Sequence, residues 1–425
     1  MLIEFSVSNF RSFREKQTLS LVAASRLLKR ENVFKPALKN EKFPNLLKVA
    51  VIYGPNASGK SNLLRALSVV ATICFREPST SDVPLPIAPF RFDAALTGEP
   101  SVFEMHFIQA GVRYQFKLAA TSDRIVNERL VAFPDGKEAL LYDRQYIGDG
   151  AIYTFGPLLT DILSNDLLTV WQKLTPPKLL FIAQATANSS EEASPLRQPF
   201  EWLRKSSLSL LDGMEGMTRA SQELAQKHKV HAENIAQFLR EVDVPISSIR
   251  VENVPPKNIG LDSVNRLSNL LPKSEGIPNK TQSTILTHDS ALGEAELTFE
   301  DQSEGTKNLI GFWLPWVTKE PAGGSRCLLV VDELDSSLHP KIVAALVKKH
   351  IQSAQPSQLI FSTHDTHLME TKILRRDQFW ITERDANGAT QLRSIHDFEG
   401  RESEDIEKRY YEGRYRGLPL VKRAL

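Results

Sequence analysis

The sequence predicts an α/β fold with a mixed central sheet, an antiparallel β subdomain and an inserted helical lobe. A buried strand, a glycine loop and a helix follow one another in "LKVAVIYGPNASGKSNLLRALSVVATI", which begins at Leu47. A second apolar run, "CLLVV" at 327–331, ends in two acids. Between these two segments lie runs that alternate apolar and polar residues, and a long stretch with helical periodicity.

Each element follows from its local pattern. The alternation in "LIEFSVSNF" at 2–10 predicts a strand, and "SVFEMHFI" and "VRYQFKLAA", within 90–131, predict a small antiparallel sheet. The apolar run "KLLFIAQ" at 178–184 predicts another strand. Residues 196–242 are mostly helical in pattern. Residues 254–282 are rich in Pro, Asn, Lys and Ser, which predicts an exposed loop.

The last third of the chain repeats the alternation of helix and strand. The segment "TKNLIGFWLPWVTK" at 306–319 predicts a helix, and an apolar strand follows at 327–332. A helix is then expected from Pro340, followed by the strand "QLIFSTHD" at 358–365.

Composition limits the function classes. The chain has 425 residues, 41% hydrophobic and 24% charged, with a net charge of +1, so any nucleic-acid surface must be a local patch. Cys74 and Cys327 lie in apolar runs, which predicts buried thiols in a reducing compartment. No apolar run approaches the length of a membrane span, and the N-terminus begins as a strand, not as a secretion signal. We therefore expect a cytoplasmic protein.

The glycine loop has the pattern of a phosphate-binding loop. The pattern GxxxxGK[ST], between a strand and a helix, is matched by Gly54, Pro55, Asn56, Ala57, Ser58, Gly59, Lys60 and Ser61. The two glycines let successive N–H groups point into one concavity, and the helix N-terminus adds positive potential there. Lys60 would neutralise the β- and γ-phosphates and Ser61 would ligate Mg²⁺. The loop thus predicts ATP and Mg²⁺ as cofactors; a chance match in a glycine loop is the alternative.

The two acids after the second apolar run complete the expected chemistry. A buried strand delivers Asp332 and Glu333 to its C-terminal edge, where ligands bind in open α/β sheets. Asp332 would hold the magnesium through water or through Ser61, and Glu333 would polarise the attacking water. Acids at the end of a strand are common, so the prediction of an ATPase depends on their pairing with the glycine loop.

Five motifs together carry a resemblance. Their order along the chain is that of the ABC-type ATPases of the SMC and RecF group: "SNFRSF" at 8–13, "GPNASGKSN" at 54–62, "QSEGTKN" at 302–308, "VVDELDSSLHP" at 330–340 and "STHD" at 362–365. The long separation of Lys60 from Asp332 also resembles that group. The resemblance implies a P-loop NTPase fold of ABC type and a homo-oligomer built from dimers that sandwich ATP.

By this resemblance, Ser303 and Gly305 form the signature element, which reaches across the dimer to the γ-phosphate bound to the partner subunit. The chain departs from the usual LSGGQ pattern at Gln302, Glu304 and Thr306. Glu304 would repel a phosphate, so we expect it to point away. An ordinary helix cap is the alternative reading of Ser303.

The resemblance implies further site residues. Asp335 corresponds to the loop that lies along the dimer axis, and His364 resembles the switch histidine that donates to the γ-phosphate, which makes it a catalytic candidate beside Glu333 and Lys60. The resemblance also places other residues near the nucleotide: Arg11, Ser12 and Asn62. The glutamine lid is expected at Gln184, with Gln109 as the weaker candidate.

The expected organisation has five parts. These are an N-terminal ATPase lobe at 1–183, a helical lobe at 184–245, connecting strands and an exposed loop at 246–300, a C-terminal ATPase lobe at 301–395, and a tail at 396–425. The tail mixes basic and aromatic residues, which suit either nucleic acid or a protein partner: Arg409, Tyr410, Tyr411, Arg414, Tyr415 and Arg416.

Over the whole chain, the resemblance is closest to the stand-alone ATPases of prokaryotic two-gene antiphage defence systems. These include RloA- and AbiLi-like proteins and, more distantly, PtuA and AriA. The overcoming-lysogenisation-defect nucleases are distant relatives that add a C-terminal Toprim domain, which would not fit in the residues after His364. The resemblance implies an ATPase that acts as sensor or scaffold for a separate effector, often a nuclease, in abortive infection. A RecF-like DNA-repair ATPase that binds DNA directly, and a self-sufficient nuclease that uses tail acids, are the alternatives.

Overall fold

The structure of the protein is a computed structural model. The residues it describes are 1–77, 83–148, 150–189, 195–205, 207–211, 213–254, 281–317, 328–353, 357–370, 372–401 and 404–418. Among the helices in these ranges, none is both long and apolar enough to cross a membrane. Most of the predicted loop at 254–282, together with Cys327, lies outside the described residues.

The elements are numbered in chain order. The strands are β1 (Leu2–Ser8), β2 (Gln17–Ser20), β3 (Val33–Phe34), β4 (Leu46–Leu47), β5 (Val49–Tyr53), β6 (Ser101–Gln109), β7 (Val112–Ala120), β8 (Ile125–Phe133), β9 (Ala139–Ile147), β10 (Gly150–Phe155), β11 (Ser207–Leu210), β12 (Ile246–Val254), β13 (Thr281–Ser290), β14 (Gly293–Thr298), β15 (Leu328–Val331), β16 (Gln358–Ser362), β17 (Phe379–Arg384) and β18 (Thr390–Ser394). The helices are α1 (Lys60–Cys74), α2 (Pro157–Thr160), α3 (Asn165–Lys173), α4 (Phe181–Ala187), α5 (Arg197–Lys205), α6 (Glu215–Lys227), α7 (Lys229–Glu241), α8 (Glu304–Val317), α9 (Pro340–Gln352), α10 (His367–Glu370) and α11 (Ile406–Tyr411).

The chain divides into two compact units, of which the first comprises Met1–Asp212, Glu320–Asp335 and His339–Leu425. Its central six-stranded sheet has the order β11-β15-β16-β5-β17-β18. The first five strands are parallel and β18 is antiparallel to β17. Strand β16 therefore lies between β5, which precedes the glycine loop, and β15, which precedes the two acids. Because parallel strands end at the same edge, all three chain segments after these strands meet there.

The first unit also contains a seven-stranded antiparallel sheet of order β10-β9-β8-β7-β6-β1-β2. One hydrophobic core joins this sheet to β5 and to the apolar face of α1, which buries Leu63, Leu67 and Val70. Cys74 at the end of α1 is buried, and burial raises the pKa of its thiol, as expected for an inert core cysteine.

The second unit comprises Gly213–Lys319 and Ser336–Leu338. Helices α6, α7 and α8 pack beside the antiparallel sheet β12-β13-β14. Trp313 of α8 is fully buried, and its ring contacts His231 of α7 at 5.7 Å. Gly311 lies so close to Thr218 and Met214 of α6 that a larger residue would force these two helices apart.

This topology confirms the predicted fold: an ABC-type P-loop NTPase with a mixed central sheet, an antiparallel β subdomain and a helical insertion. One local prediction was wrong. Residues 178–184 form most of helix α4 with the turn before it, not a strand, because the buried carboxylate of Glu128 accepts the N–H groups of Phe181 and Ile182 at 2.7 and 3.1 Å and so starts a helix. Residues 196–242 are mostly helical, as predicted, and within them the short segment β11 joins the central sheet.

Candidate functional site

The phosphate-binding loop has the predicted backbone shape. It leaves β5, whose five residues are all buried, and enters α1 at Lys60. Gly54 and Gly59 adopt φ of +149° and +107°, and Ala57 between them has φ of +61°. These left-handed conformations curl the backbone so that its N–H groups face one concavity at the start of α1.

Two threonines of the β17–β18 hairpin, Thr382 and Thr390, pack against this loop. A Cβ at Gly54 would overlap the Thr382 carbonyl, and one at Gly59 would overlap the Thr390 hydroxyl. The hydroxyls of Ser58 and Thr382 lie 2.6 Å apart, and Thr390 Oγ1 lies 2.8 Å from the Ser58 carbonyl. The loop glycines therefore also serve close packing, and sequence reasoning missed both threonines because a lone hydroxyl leaves no pattern.

Ser12 and Asn62 meet beside the same loop. Asn62 donates its side-chain N–H to Ser12 Oγ at 2.9 Å, and Thr390 Oγ1 lies 2.8 Å from that oxygen. Arg11, the residue before Ser12, has φ of +52° and donates its backbone N–H to the Ala88 carbonyl. Burial and the positive charge of Arg65 lower the pKa of the Arg11 guanidinium. The turn that contains Arg11 and Ser12 thus lies beside the phosphate-binding loop, and the positively charged side chain of Arg11 is exposed.

Lys60 is buried, and its ammonium contacts its own loop. Nζ donates to the Gly54 carbonyl at 2.8 Å and lies 3.3 Å from the Pro55 carbonyl. Burial lowers the pKa of Lys60, while the negative charges of Asp332, Glu333 and Asp335 act in the opposite direction. The three carboxylates are therefore close enough to Lys60 to affect its charge.

Ser362, the last residue of β16, holds the two acids. Its hydroxyl donates to Asp332 Oδ1 at 2.5 Å and accepts the N–H of Glu333 at 2.8 Å, while its carbonyl accepts the N–H of Leu334 at 3.1 Å. Glu333 has φ of +50°, a conformation that costs a non-glycine residue roughly 1–3 kcal/mol. The three bonds from one fully buried serine hold Glu333 in this conformation with its side chain exposed to solvent.

His364 follows Ser362 by two residues and is held by Asp335. The backbone N–H of His364 donates to Asp335 Oδ2 at 3.2 Å. The other oxygen of Asp335 is buried and has no hydrogen-bond partner within the described residues. The His364 side chain is exposed and, with Gly54, Pro55 and Asn56, lines a cavity of ≈ 500 Å³. The structure thus brings His364, the residue predicted to be the switch histidine, close to the phosphate-binding loop.

The donor set suits Mg²⁺. Magnesium in proteins is bound through one or two carboxylates, hydroxyls, waters and substrate phosphate oxygens. Asp332, at the end of β15, and Ser61, in the first turn of α1, supply oxygens of this kind. Within the described ranges, no group of three or more His, Cys, Asp or Glu side chains forms a metal site.

Neither lid candidate contacts this centre. Gln184 is buried within α4, and the contacts described for the phosphate-binding loop and the two acids do not involve it. Gln109 ends β6, where its side chain lies 3.3 Å from that of Gln198. The lid assignment of Gln184 stays a prediction.

In the second unit, the predicted signature element forms the start of α8. Ser303 Oγ accepts the N–H of Thr306 at 3.2 Å, which is an N-cap contact. A Cβ at Gly305 would meet the carbonyl of Ser337, so glycine is needed where this helix meets the segment after Asp335. Ser303 is also exposed, so the cap leaves this helix N-terminus open to an anion from outside the chain.

Two of the three departures from the usual signature, Gln302 and Glu304, have local explanations. The buried side chain of Gln302 lies 2.9 Å from His288 and donates to the Thr298 carbonyl. Glu304 is 71% exposed and pairs with Lys307 at 2.9 Å. Gln302 thus ties the start of α8 to the β12-β13-β14 sheet, and the nearby Lys307 offsets the charge of Glu304.

The basic and aromatic residues of the tail separate into two groups. Tyr410 and Tyr415 are buried in the first unit, and Arg409 pairs with Glu404 at 2.8 Å. The exposed members are Tyr411, Arg414 and Arg416, of which the two arginines pair with Glu412 and Glu383. Half of this cluster therefore stabilises the fold and half remains at the surface.

Comparison with known proteins gave one family and a group of solved structures. The family model described as "AAA domain, putative AbiEii toxin, Type IV TA system" matches residues 49–370. The SMC head domain from Thermotoga maritima is 13% identical, with a TM-score of 0.40, over 92% of this chain and 98% of that one. An SMC head bound to the C-terminal winged-helix domain of ScpA is 15% identical, with a TM-score of 0.40, over 92% and 97%. A search of curated proteins returned no match.

Proposed function

The chain belongs to the AAA-domain family whose model spans residues 49–370, and on that premise we propose that it binds ATP with Mg²⁺ and hydrolyses it. The observation that carries the proposal is the convergence at one sheet edge. Lys60 lies under the influence of Asp332 and Glu333, and Ser362 fixes both acids from the strand between them. A cation for phosphate, an acid for metal and a second acid for water are the groups that phosphoryl transfer to water requires.

Each residue then has one role. The backbone N–H groups from Ser58 to Ser61 cradle the phosphates, and Lys60 exchanges its contacts with the loop carbonyls for the β- and γ-phosphates. Asp332 and Ser61 would hold the Mg²⁺, which would supply positive charge to the phosphate oxygens. Glu333 orients the attacking water and accepts its proton. His364 hydrogen-bonds the γ-phosphate from the end of β16.

We propose further that two copies close around the nucleotide. Glu333 and His364 are exposed, although water must be excluded for electrostatic catalysis to be effective. Ser303 is also exposed at a helix N-terminus, which suits the γ-phosphate of a second copy. A dimer in which Ser303 of one chain covers Lys60 of the other would exclude water from the site and would bring Ser303 to the γ-phosphate.

The biological role we propose is that of a sensor or scaffold for a separate effector, such as a nuclease, in antiphage defence. The family description connects AAA domains of this kind with AbiEii toxins and type IV toxin–antitoxin systems, which favours a defence role. The ATP-closed dimer would be the state that recruits or releases the effector. Tyr411, Arg414 and Arg416 supply an exposed tail surface for that contact.

The test compares the wild-type protein with Lys60→Ala and with Lys173→Ala, a control in the last turn of α3. Calorimetry with ATP and Mg²⁺ measures binding, and phosphate release measures hydrolysis. We expect the wild type and Lys173→Ala to bind and hydrolyse ATP and Lys60→Ala to do neither. Unchanged ATP affinity in Lys60→Ala would overturn the assignment of the loop. Stimulation by gapped DNA without any partner would instead favour the RecF-like alternative, and DNA cleavage by the purified protein would favour the nuclease alternative.

A further inference from the structure

The end of the described chain folds back onto the switch segment, which we define as Thr363–His367. The tail is anchored first: Arg376 donates to the carbonyls of Ile395 and Phe398 at 3.1 and 2.6 Å. Tyr415 is buried against Phe398 with ring centroids 5.5 Å apart. The helix α11 between these anchors is thus held at a fixed place on the first unit.

From that place two side chains of α11, Glu407 and Tyr411, contact the side chain of Thr366 in the switch segment. Thr366 Oγ1 donates to Glu407 Oε1 at 2.6 Å and lies 3.0 Å from the hydroxyl of Tyr411. Because the single Thr366 proton goes to the carboxylate, the Tyr411 hydroxyl is the donor to Thr366. The result is a chain of hydrogen bonds, Tyr411 to Thr366 to Glu407, in which each bond strengthens the next.

The same segment is held from its other side by β5. Tyr53, the last residue of that strand, donates its hydroxyl to the Asp365 carbonyl at 3.0 Å. The ring of Tyr410 in α11 lies 6.3 Å from the Tyr53 ring, and its hydroxyl donates to the Gly417 carbonyl. The switch segment is therefore clamped between the strand that leads to the phosphate-binding loop and the tail.

The clamp has a cavity beside it. The space of ≈ 500 Å³ at the start of the phosphate-binding loop is lined by His364 and Thr366 of the switch segment and by Tyr410, Tyr411 and Leu418 of the tail. His364 therefore has room to change its position unless the hydrogen bonds at Thr366 prevent it. Tyr411 is 61% exposed, so a molecule bound to the tail surface can reach the hydroxyl that completes the chain.

We propose that Thr366, Glu407 and Tyr411 are positioning residues that fix His364 for hydrolysis, and that the tail thereby controls the ATPase rate. This inference rests on the proposed function. Loss of the Tyr411 hydroxyl removes one of the two hydrogen bonds that hold the Thr366 side chain and weakens the other, so the histidine two residues earlier is held less firmly, while the phosphate-binding loop is left as it was. The effect should therefore fall on kcat and leave ATP binding unchanged.

The experiment uses Tyr411→Phe, Glu407→Gln, Thr366→Val and Thr366→Ser in the full chain. Lys408→Gln is the control, since Lys408 is an exposed residue of α11 whose side chain is not part of this chain of hydrogen bonds. We expect the first three to lower kcat roughly tenfold with KM changed less than about twofold, and Thr366→Ser and the control to keep the wild-type values. The double variant Thr366→Val with Tyr411→Phe should be no slower than Thr366→Val alone, because both break the same chain.

A second measurement does not depend on hydrolysis. Hydrogen–deuterium exchange of the nucleotide-free protein should show faster exchange across Thr363–His367 in Tyr411→Phe than in Lys408→Gln. Exchange equal to that of the control, with equal kcat, would overturn the inference even if the ATPase activity is established. If the wild type does not hydrolyse ATP, the proposed function fails, and the exchange rates alone still decide whether the tail fixes the switch segment.

Discussion

Asp335 Oδ2 accepts the backbone N–H of His364 at 3.2 Å, so the residue expected on the dimer axis holds the predicted switch histidine of its own chain. Asp335 also adds to the negative potential at Lys60. The carboxylate of Asp335, in the segment that would face a second copy, thus acts on both His364 and Lys60.

Asp335→Ala should reduce hydrolysis more than ATP binding. The substitution frees His364 and removes one of three negative charges near Lys60, so the affinity for the nucleotide's phosphates should not fall. We expect kcat to fall at least tenfold, as for loss of a hydrogen bond to a charged group. Saturation kinetics and calorimetry measure the two effects, with Asp123→Ala, an exposed turn residue, as control. A loss of ATP binding equal to the loss of rate would show that Asp335 supports the fold of the loop instead.

The two roles of Ser303 can be separated by Ser303→Asp. Aspartate caps a helix as well as serine does, but it places a negative charge where a γ-phosphate would lie. We expect ATP binding to persist and hydrolysis to be lost, while a mixture with Lys60→Ala regains about one active site per heterodimer. A wild-type rate in Ser303→Asp would show that Ser303 acts only as a cap. A mixture that forms dimers but stays inactive would argue against a role across the dimer.

Glu333→Gln should separate hydrolysis from assembly. The amide keeps the shape of the side chain but removes the charge that orients water, so the rate should fall by roughly 10²–10⁴-fold while ATP still binds. Unconsumed ATP then stabilises whichever state it binds. We expect an ATP-dependent dimer, or a larger assembly of dimers, in light scattering with ATP and Mg²⁺. Hydrolysis at the wild-type rate would exclude Glu333 as the base, and an inactive variant that remains monomeric with ATP would contradict the sandwich dimer.

His350 makes stability depend on pH. It is buried in α9, and burial lowers the pKa of its imidazole from 6.5 to about 4, so the folded chain binds fewer protons than the unfolded chain between these values. The contribution of neutral, buried His350 to the free energy of unfolding is complete above pH 6.5. As the pH falls toward 4 this contribution is lost, and the free energy of unfolding decreases by up to roughly 3 kcal/mol. Urea unfolding across this window should show a shallower pH dependence in His350→Leu than in the wild type or in His396→Asn, which alters an exposed histidine. Equal slopes in all three proteins would exclude His350 as the cause.

The elements that could be predicted from the sequence are those whose pattern is local. The strand, loop and helix around Lys60 carry a complete pattern within one segment, and the acids after β15 follow a buried run. The structure gives these segments the predicted form. The same holds for the alternating strands β6 and β7.

What the sequence could not show depends on distant partners. The run at 178–184 is too short for its periodicity to distinguish strand from helix, and the group that decides the matter, Glu128, lies far upstream. The site is held in place by the single hydroxyl groups of Ser362, Thr382 and Thr390. Serine and threonine are common everywhere on protein surfaces, so the residue type alone does not indicate this role. Only the three-dimensional structure indicates which hydroxyls matter.

The place of β5 in its sheet has a consequence for synthesis on the ribosome. This strand emerges early, yet both of its neighbours, β16 and β17, come from residues 358–384. At ordinary elongation rates the nascent chain must wait roughly tens of seconds before β5 can be paired. Throughout that time five consecutive apolar residues, Val49–Tyr53, stay without their sheet partners. The newborn protein is therefore expected to need a chaperone until residues 358–384 have been made.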